Sequence, residues 1–120
     1  MKTIFVVDDD STFVNFLRIG LASRRWAVRG FTDPLRALAA LTVPPTPDVL
    51  LVDLWMPPID GEKFVVAARR RVPRAAFLFV TSVDVPAAFE VAARVGVPVL
   101  MKPFDLDTLR HTIECLLLAQ

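Results

Sequence analysis

Two kinds of apolar spacing alternate along this 120-residue chain: short unbroken apolar runs, and longer stretches whose apolar residues recur every three or four positions. Thr3-Ile4-Phe5-Val6-Val7, Ala27 to Phe31, Val49-Leu50-Leu51-Val52, Ala76-Phe77-Leu78-Phe79-Val80 and Val97 to Met101 are the runs, and each reads as a strand. An apolar run bounded by turn residues fits a strand covered on both faces. Arg29 and Gly30 make the second run less apolar, which suits a sheet edge. Ser11 is placed to cap a helix over about 12–24, with Phe13, Val14, Leu17 and Leu21 on its inner face. Asp33-Pro34 opens the next, with Leu35, Leu38 and Leu41 at helical spacing, and Pro44-Pro45-Thr46-Pro47 ends it. Helices follow over Gly61 to Arg71 and over Pro86 to Val95, the latter stopped by Gly96. Asp105 caps the last, whose core stripe is Leu106, Leu109, Ile113, Leu116 and Leu117.

Five strands alternating with five helices predict a parallel sheet with right-handed crossovers, helices on both faces, and the order 2-1-3-4-5. At 120 residues the chain is one domain. Its 54% apolar content and mean hydropathy of +0.51 fit such a sheet and exclude disorder. A net charge of +1 offers no nucleic-acid footprint and no acidic tail. The single cysteine, Cys115, forms no internal disulfide, which points to a reducing compartment. No apolar run approaches the roughly 18 to 20 residues that cross a bilayer, and Met1-Lys2 leads straight into a strand rather than a cleavable signal. These features together point to the cytoplasm.

In a parallel sheet all carboxyl ends share one edge, so residues that end different strands become neighbours. Asp8, Asp9, Asp53, Thr81 and Lys102 all occupy such positions. The ligand crevice of this topology lies between strands one and three, the two that end on aspartates. Three carboxylates in one crevice repel one another unless a cation joins them, and oxygen ligands without His or Cys favour Mg²⁺. A phosphoryl group bound there would have its charge met by the metal and the Lys102 ammonium, and would accept a hydrogen bond from Thr81. Asp53 is placed to attack phosphorus and become an acyl phosphate.

With Val-Val-Asp8-Asp9, Val-Asp53-Leu-Trp55-Met-Pro, Asp60-Gly61, Thr81 and Lys102-Pro103-Phe104 in order at strand ends, the whole chain closely resembles the receiver domain of two-component response regulators. That resemblance implies a (βα)5 flavodoxin-like three-layer sandwich over residues 1–120. It implies a signalling domain rather than an enzyme, which accepts a phosphoryl group on Asp53 from a histidine kinase or a phosphotransfer protein and switches an interaction surface. Mg²⁺ would be held by Asp9, Asp53 and the backbone carbonyl of Trp55, with Asp8 acting through metal-bound water. A cis bond is expected at Lys102-Pro103. Thr81 would be the switch hydroxyl. Val99 stands where the family often has Tyr or Phe, so the aromatic half of the switch is absent from that position. Trp55 and Val83, both apolar, flank the line of water attack and predict a slow loss of phosphate.

Other residues carry plainer readings. Asp10 reads as a capping residue, not a ligand. Arg69-Arg70-Arg71 with Arg74 reads as a solvated helix end that complements the helix dipole, not a nucleic-acid patch. His111 reads as a surface residue and Cys115 as inert. Glu90 and Arg94 form an i,i+4 pair on an otherwise apolar fourth helix. His111, Cys115 and Leu118 lie off the core stripe of the last helix, so the last two helices offer a face for a homodimer or an output partner. An end at Leu116-Leu117-Leu118-Ala119-Gln120 without a polar tail hints at a segment of a longer protein. Two rival readings stand beside this one. An aspartyl-phosphate phosphatase of the haloacid dehalogenase type needs a second Asp two residues after the nucleophile, where this chain has Trp55. A pseudo-receiver, an interaction module without phosphorylation, finds its support in Val99.

Overall fold

The computed structural model describes residues 1–82 and 85–120. The strands are β1 (Lys2–Val7), β2 (Trp26–Phe31), β3 (Val49–Val52), β4 (Ala76–Thr81) and β5 (Val99–Met101). The helices between and after them are α1 (Ser11–Leu21), α2 (Pro34–Ala40), α3 (Gly61–Arg71), α4 (Val85–Val95) and α5 (Leu106–Leu118). All strand pairs are parallel, in the order β2-β1-β3-β4-β5. The expected three-layer arrangement follows from the alternation of side chains along each strand. Phe5, Val7, Leu50, Val52, Phe77 and Phe79 face α2, α3 and α4. Ile4, Val6, Val49, Leu51, Leu78 and Val80 face α1 and α5.

Several boundaries differ from the sequence reading, each for a local reason. Ser11 does not cap α1; Asp10 does, in keeping with its reading as a capping residue, and its carboxylate accepts the N–H groups of Thr12 and Phe13. That helix stops at Leu21 rather than near residue 24, because the Ser23 hydroxyl accepts the Arg25 and Trp26 N–H groups and turns the chain into β2. β5 starts at Val99 instead of Val97, whose N–H is taken by the Ala92 carbonyl at the end of α4, while Pro98 has no N–H to give. Gly96 ends α4 with φ +66°, a conformation open to glycine. Leu35 is half exposed, because Pro34 and Ala37 form the inner face of α2.

The arginine run is not merely solvated. Arg69 donates to the Val95 and Gly96 carbonyls and lies 5.6 Å from the centre of the Phe77 ring, and Arg71 donates to the Leu38 carbonyl at 2.7 Å. The two guanidinium groups tie α3 to the ends of α4 and α2. Arg94 feels the Glu90 charge within its own helix, but its hydrogen bonds grip Glu62 at the start of α3, with Nε and Nη2 at 2.9 and 3.0 Å from the two carboxylate oxygens. That grip draws the Glu62 carboxyl below its ordinary value.

Candidate functional site

Register brings the acids together. Val7 of β1 pairs with Val52 of β3, so the residues that follow, Asp8 and Asp53, leave the sheet side by side. Their backbones continue the ladder: the Asp8 N–H donates to Phe31 and the Asp53 N–H to Val7, at 3.1 and 3.0 Å. Across the sheet, Thr81 pairs with Met101, and the Lys102 N–H donates to the Thr81 carbonyl at 2.9 Å. The Lys102-Pro103 bond is cis, as expected. Gly61 lets α3 begin directly against the end of β3, since a Cβ there would lie 2.5 Å from the Asp53 carbonyl oxygen. Any larger residue would push α3 off the site.

Oxygens of Asp8, Asp9 and Asp53 lie within 4.8 Å of one another, the sole such acid, His or Cys cluster among the described residues. Their surroundings differ. Asp9 is exposed to solvent. Asp8 is buried and held on both oxygens, one accepting the Asp10 N–H at 2.9 Å and the other the Lys102 ammonium at 2.8 Å. Lys102 therefore rests on Asp8 and not on Asp53. Its ammonium also sits 4.0 Å above the Phe13 ring, which meets Phe104 edge-on at 6.1 Å.

Asp53 is 9% exposed. Burial pushes its carboxyl above the ordinary value of 3.8, and the Asp8 charge pushes it further; the Thr81 hydroxyl, the Lys102 charge and the Trp55 N–H pull it partway back. Thr81 itself is fully buried. The chemistry of these donors fits a small hard divalent cation: three carboxylates converge, and the charge on Asp53 is disfavoured by burial and by the Asp8 charge. No nitrogen or sulfur ligand competes within the cluster.

The predicted acids, Thr81 and Lys102 thus meet at one edge. Trp55 is 72% exposed beside them, and Val99, half-buried at the start of β5, packs under the α4 face. Val83, paired with Trp55 in the sequence argument, lies outside the described residues. Phe13 is the site residue that sequence reasoning placed only in the core. The signal was present in its position on the first turn of α1, directly after the Asp8-Asp9 edge, where a ring can cover a strand-end cation.

Comparison with known proteins bears on the same residues. The family model for the response regulator receiver domain matches residues 4–114. The DNA-binding transcriptional regulator NtrC of Salmonella typhimurium is 35% identical over 112 residues, 92% of this chain and 24% of its own length. The tetrathionate response regulatory protein TtrR of the same organism is 32% identical over 115 residues, 95% of this chain and 55% of its own. The chain therefore spans about a quarter to a half of the length of these relatives. Among solved structures, the chemotaxis protein CheY4 of Vibrio cholerae superposes with a TM-score of 0.86 at 27% identity, covering 97% of this chain and 98% of that one. A response regulator from Burkholderia pseudomallei, solved with a phosphorylated aspartic acid, a calcium ion and citrate, gives 0.81 at 25% identity over 91% of this chain and 64% of that one.

Proposed function

The chain belongs to the response regulator receiver domain family, and from that premise we propose that it is a cytoplasmic phosphoacceptor domain, residues 1–120, that takes a phosphoryl group onto Asp53 from a histidine kinase or a histidine phosphotransfer protein. The observation that carries this reading is the acid cluster itself, with its oxygens within 4.8 Å and a lysine ammonium 2.8 Å from one of its members. Asp53 is the nucleophile: a carboxylate oxygen bonds to phosphorus and the donor's imidazole nitrogen leaves. The Lys102 ammonium rests on Asp8, so the Asp53 carboxylate, although Thr81, Lys102 and Trp55 all draw on its charge, is left open to react rather than locked in a close ion pair.

Asp8, Asp9, Asp53 and the Trp55 carbonyl would hold Mg²⁺, which supplies charge neutralisation for the phosphoryl oxygens. Lys102 adds a second positive charge at the same edge, steered by Asp8 and by the Phe13 ring beneath it. Thr81, already hydrogen-bonded to the Asp53 carboxylate, would follow the phosphoryl oxygen when the carboxylate is esterified. Its movement would be passed to the surface of α4 and β5, where Val99 replaces the ring that often completes this switch. The domain acts on itself and does not turn over a separate substrate, so it is a signalling module rather than an enzyme. Its output, through a homodimer or partner on the last two helices, would lie in that surface and involves no direct contact with nucleic acid or membrane. Trp55, exposed and apolar next to Asp53, would hinder ordered water and lengthen the life of the acyl phosphate.

Intact mass after acetyl phosphate with Mg²⁺ tests the proposal. A gain of one phosphoryl group in the wild type and none in Asp53→Asn is expected. No gain in either would favour the pseudo-receiver, the reading that the short Val99 side chain supports.

A further inference from the structure

The chain contains one cysteine and one histidine, and the fold sets them side by side. Cys115 and His111 are four residues apart on α5, which puts them on the same face one turn apart. Both are exposed, and Cys115 Sγ lies 3.7 Å from His111 Nε2. That span has a specific chemical meaning. A tetrahedral Zn²⁺ with Zn–S of about 2.3 Å and Zn–N of about 2.0–2.1 Å separates adjacent sulfur and nitrogen ligands by about 3.6 Å. The hydrogen-bonded pair therefore already stands close to the ligand separation of a zinc chelate.

We propose that His111 and Cys115 form half of a Zn²⁺ site on α5 that a second copy of this chain completes. Zinc sites of the structural kind take four ligands, and this chain offers two: among the described residues no third His, Cys, Asp or Glu joins the pair. A two-fold axis through the metal supplies the same two again, giving Cys₂His₂ and a closed dimer. The sum of charges favours this set, since Zn²⁺ with two thiolates and two neutral imidazoles is neutral. On binding, each thiol loses its proton to solvent and each Nε2 offers its lone pair. Sulfur and nitrogen donors also separate this site from the all-oxygen cluster at the sheet edge, which suits harder cations.

The neighbourhood is compatible with a second copy. Leu118, next on the same stripe, is 85% exposed and would meet its mate beside the metal. Arg110, the nearest cation on the helix, is drawn aside by Asp107 at 2.9 Å and by the Gly20 carbonyl at 2.7 Å. It leaves no guanidinium over the chelate. The proposal does not depend on phosphorylation of Asp53.

Titration with Co²⁺ and then Zn²⁺, in excess Mg²⁺ to fill the acid cluster and with a phosphine reductant to prevent disulfides, tests it on the full chain. Expected are the thiolate charge-transfer band and intense visible bands of tetrahedral Co²⁺, one metal per two chains, and a zinc-dependent dimer in sedimentation that chelator reverses. Cys115→Ser and His111→Gln, both at exposed positions, should each weaken metal binding by more than about 100-fold, since even outer-shell changes cost about 10- to 100-fold. Asp9→Asn should leave the cobalt spectrum unchanged. Absence of the thiolate band, one metal bound per monomer, or a dimer equally populated with chelator present would each overturn the proposal.

Discussion

β3 carries an aspartate at each end, Asp48 before Val49 and Asp53 after Val52, and the two have opposite fates. At the amino edge, Asp48 is engaged through both side chain and backbone. Its carboxylate accepts the Thr3 N–H at 2.8 Å, its own N–H donates to the Thr3 carbonyl at 2.8 Å, and its carbonyl accepts from Ala76 and from the Gln120 side chain, both at 2.9 Å. At the carboxyl edge, Asp53 is more deeply covered, faces a second acid, and has its proton affinity raised by burial and repulsion. The same residue type on the same four-residue strand is a clamp at one end and a reactive group at the other. What separates them is that Asp53, although it too accepts from Thr81 and Trp55, is buried against the like charge of Asp8.

The sharpest break in this comparison is chemical. Asp53→Asn should abolish phosphoryl uptake, whereas Asp48→Asn should leave the extent of uptake unchanged in the same mass measurement. Next in size is Lys102→Ala. Removing a positively charged donor from a site of developing charge costs about 10²–10³ in rate, so phosphorylation by acetyl phosphate should slow by about 100-fold, followed through the fluorescence of exposed Trp55. An unaltered rate would mean that Lys102 serves Asp8 as a structural counter-ion only.

The amino edge predicts a loss of stability instead. Asp48→Ala leaves the nearly buried Thr3 N–H without its acceptor, a penalty of about 1–3 kcal/mol in a urea melt. Phosphorylation of that variant, once folded, should match the wild type.

Both edges were unequally legible in the sequence. The carboxyl edge could be read because strand-ending Asp8, Asp53, Thr81 and Lys102 break apolar runs, and topology alone makes strand ends neighbours. The clamps at the amino edge could not, since Gln120 reaches the Asp48 and Arg74 carbonyls across 72 and 46 residues with no pattern to mark it. The same limit applies to Arg94, where helical spacing pointed to Glu90 but the α3–α4 packing delivered Glu62. Local periodicity identifies which face a side chain occupies, and only the packing of neighbours decides which of several equal partners it takes. Lys102 shows both sides: its edge was readable, its rest on Asp8 and Phe13 was not.

The smallest effect is the most discriminating, because the two aspartates should shift stability in opposite directions. Burial and the Asp8 charge hold the Asp53 carboxyl above 3.8, so the folded state binds its proton more tightly than the unfolded chain does. Below that value both states are protonated and the site costs nothing. As pH rises through the folded-state value, the buried group must ionise and stability is lost, a loss that persists at neutral pH. Asp53→Asn has no proton to lose, so without metal it should be more stable than the wild type at neutral pH, with the gap closing toward about pH 4. Mg²⁺ should close the same gap from the other side, because at 100 times its dissociation constant a ligand of the folded state adds about 2.7 kcal/mol. Urea melts from about pH 4 to pH 8, with and without Mg²⁺, measure all of this. If Asp53→Asn is instead less stable than the wild type at neutral pH without metal, Asp53 is a satisfied structural residue like Asp48 and the contrast between the two ends of β3 disappears.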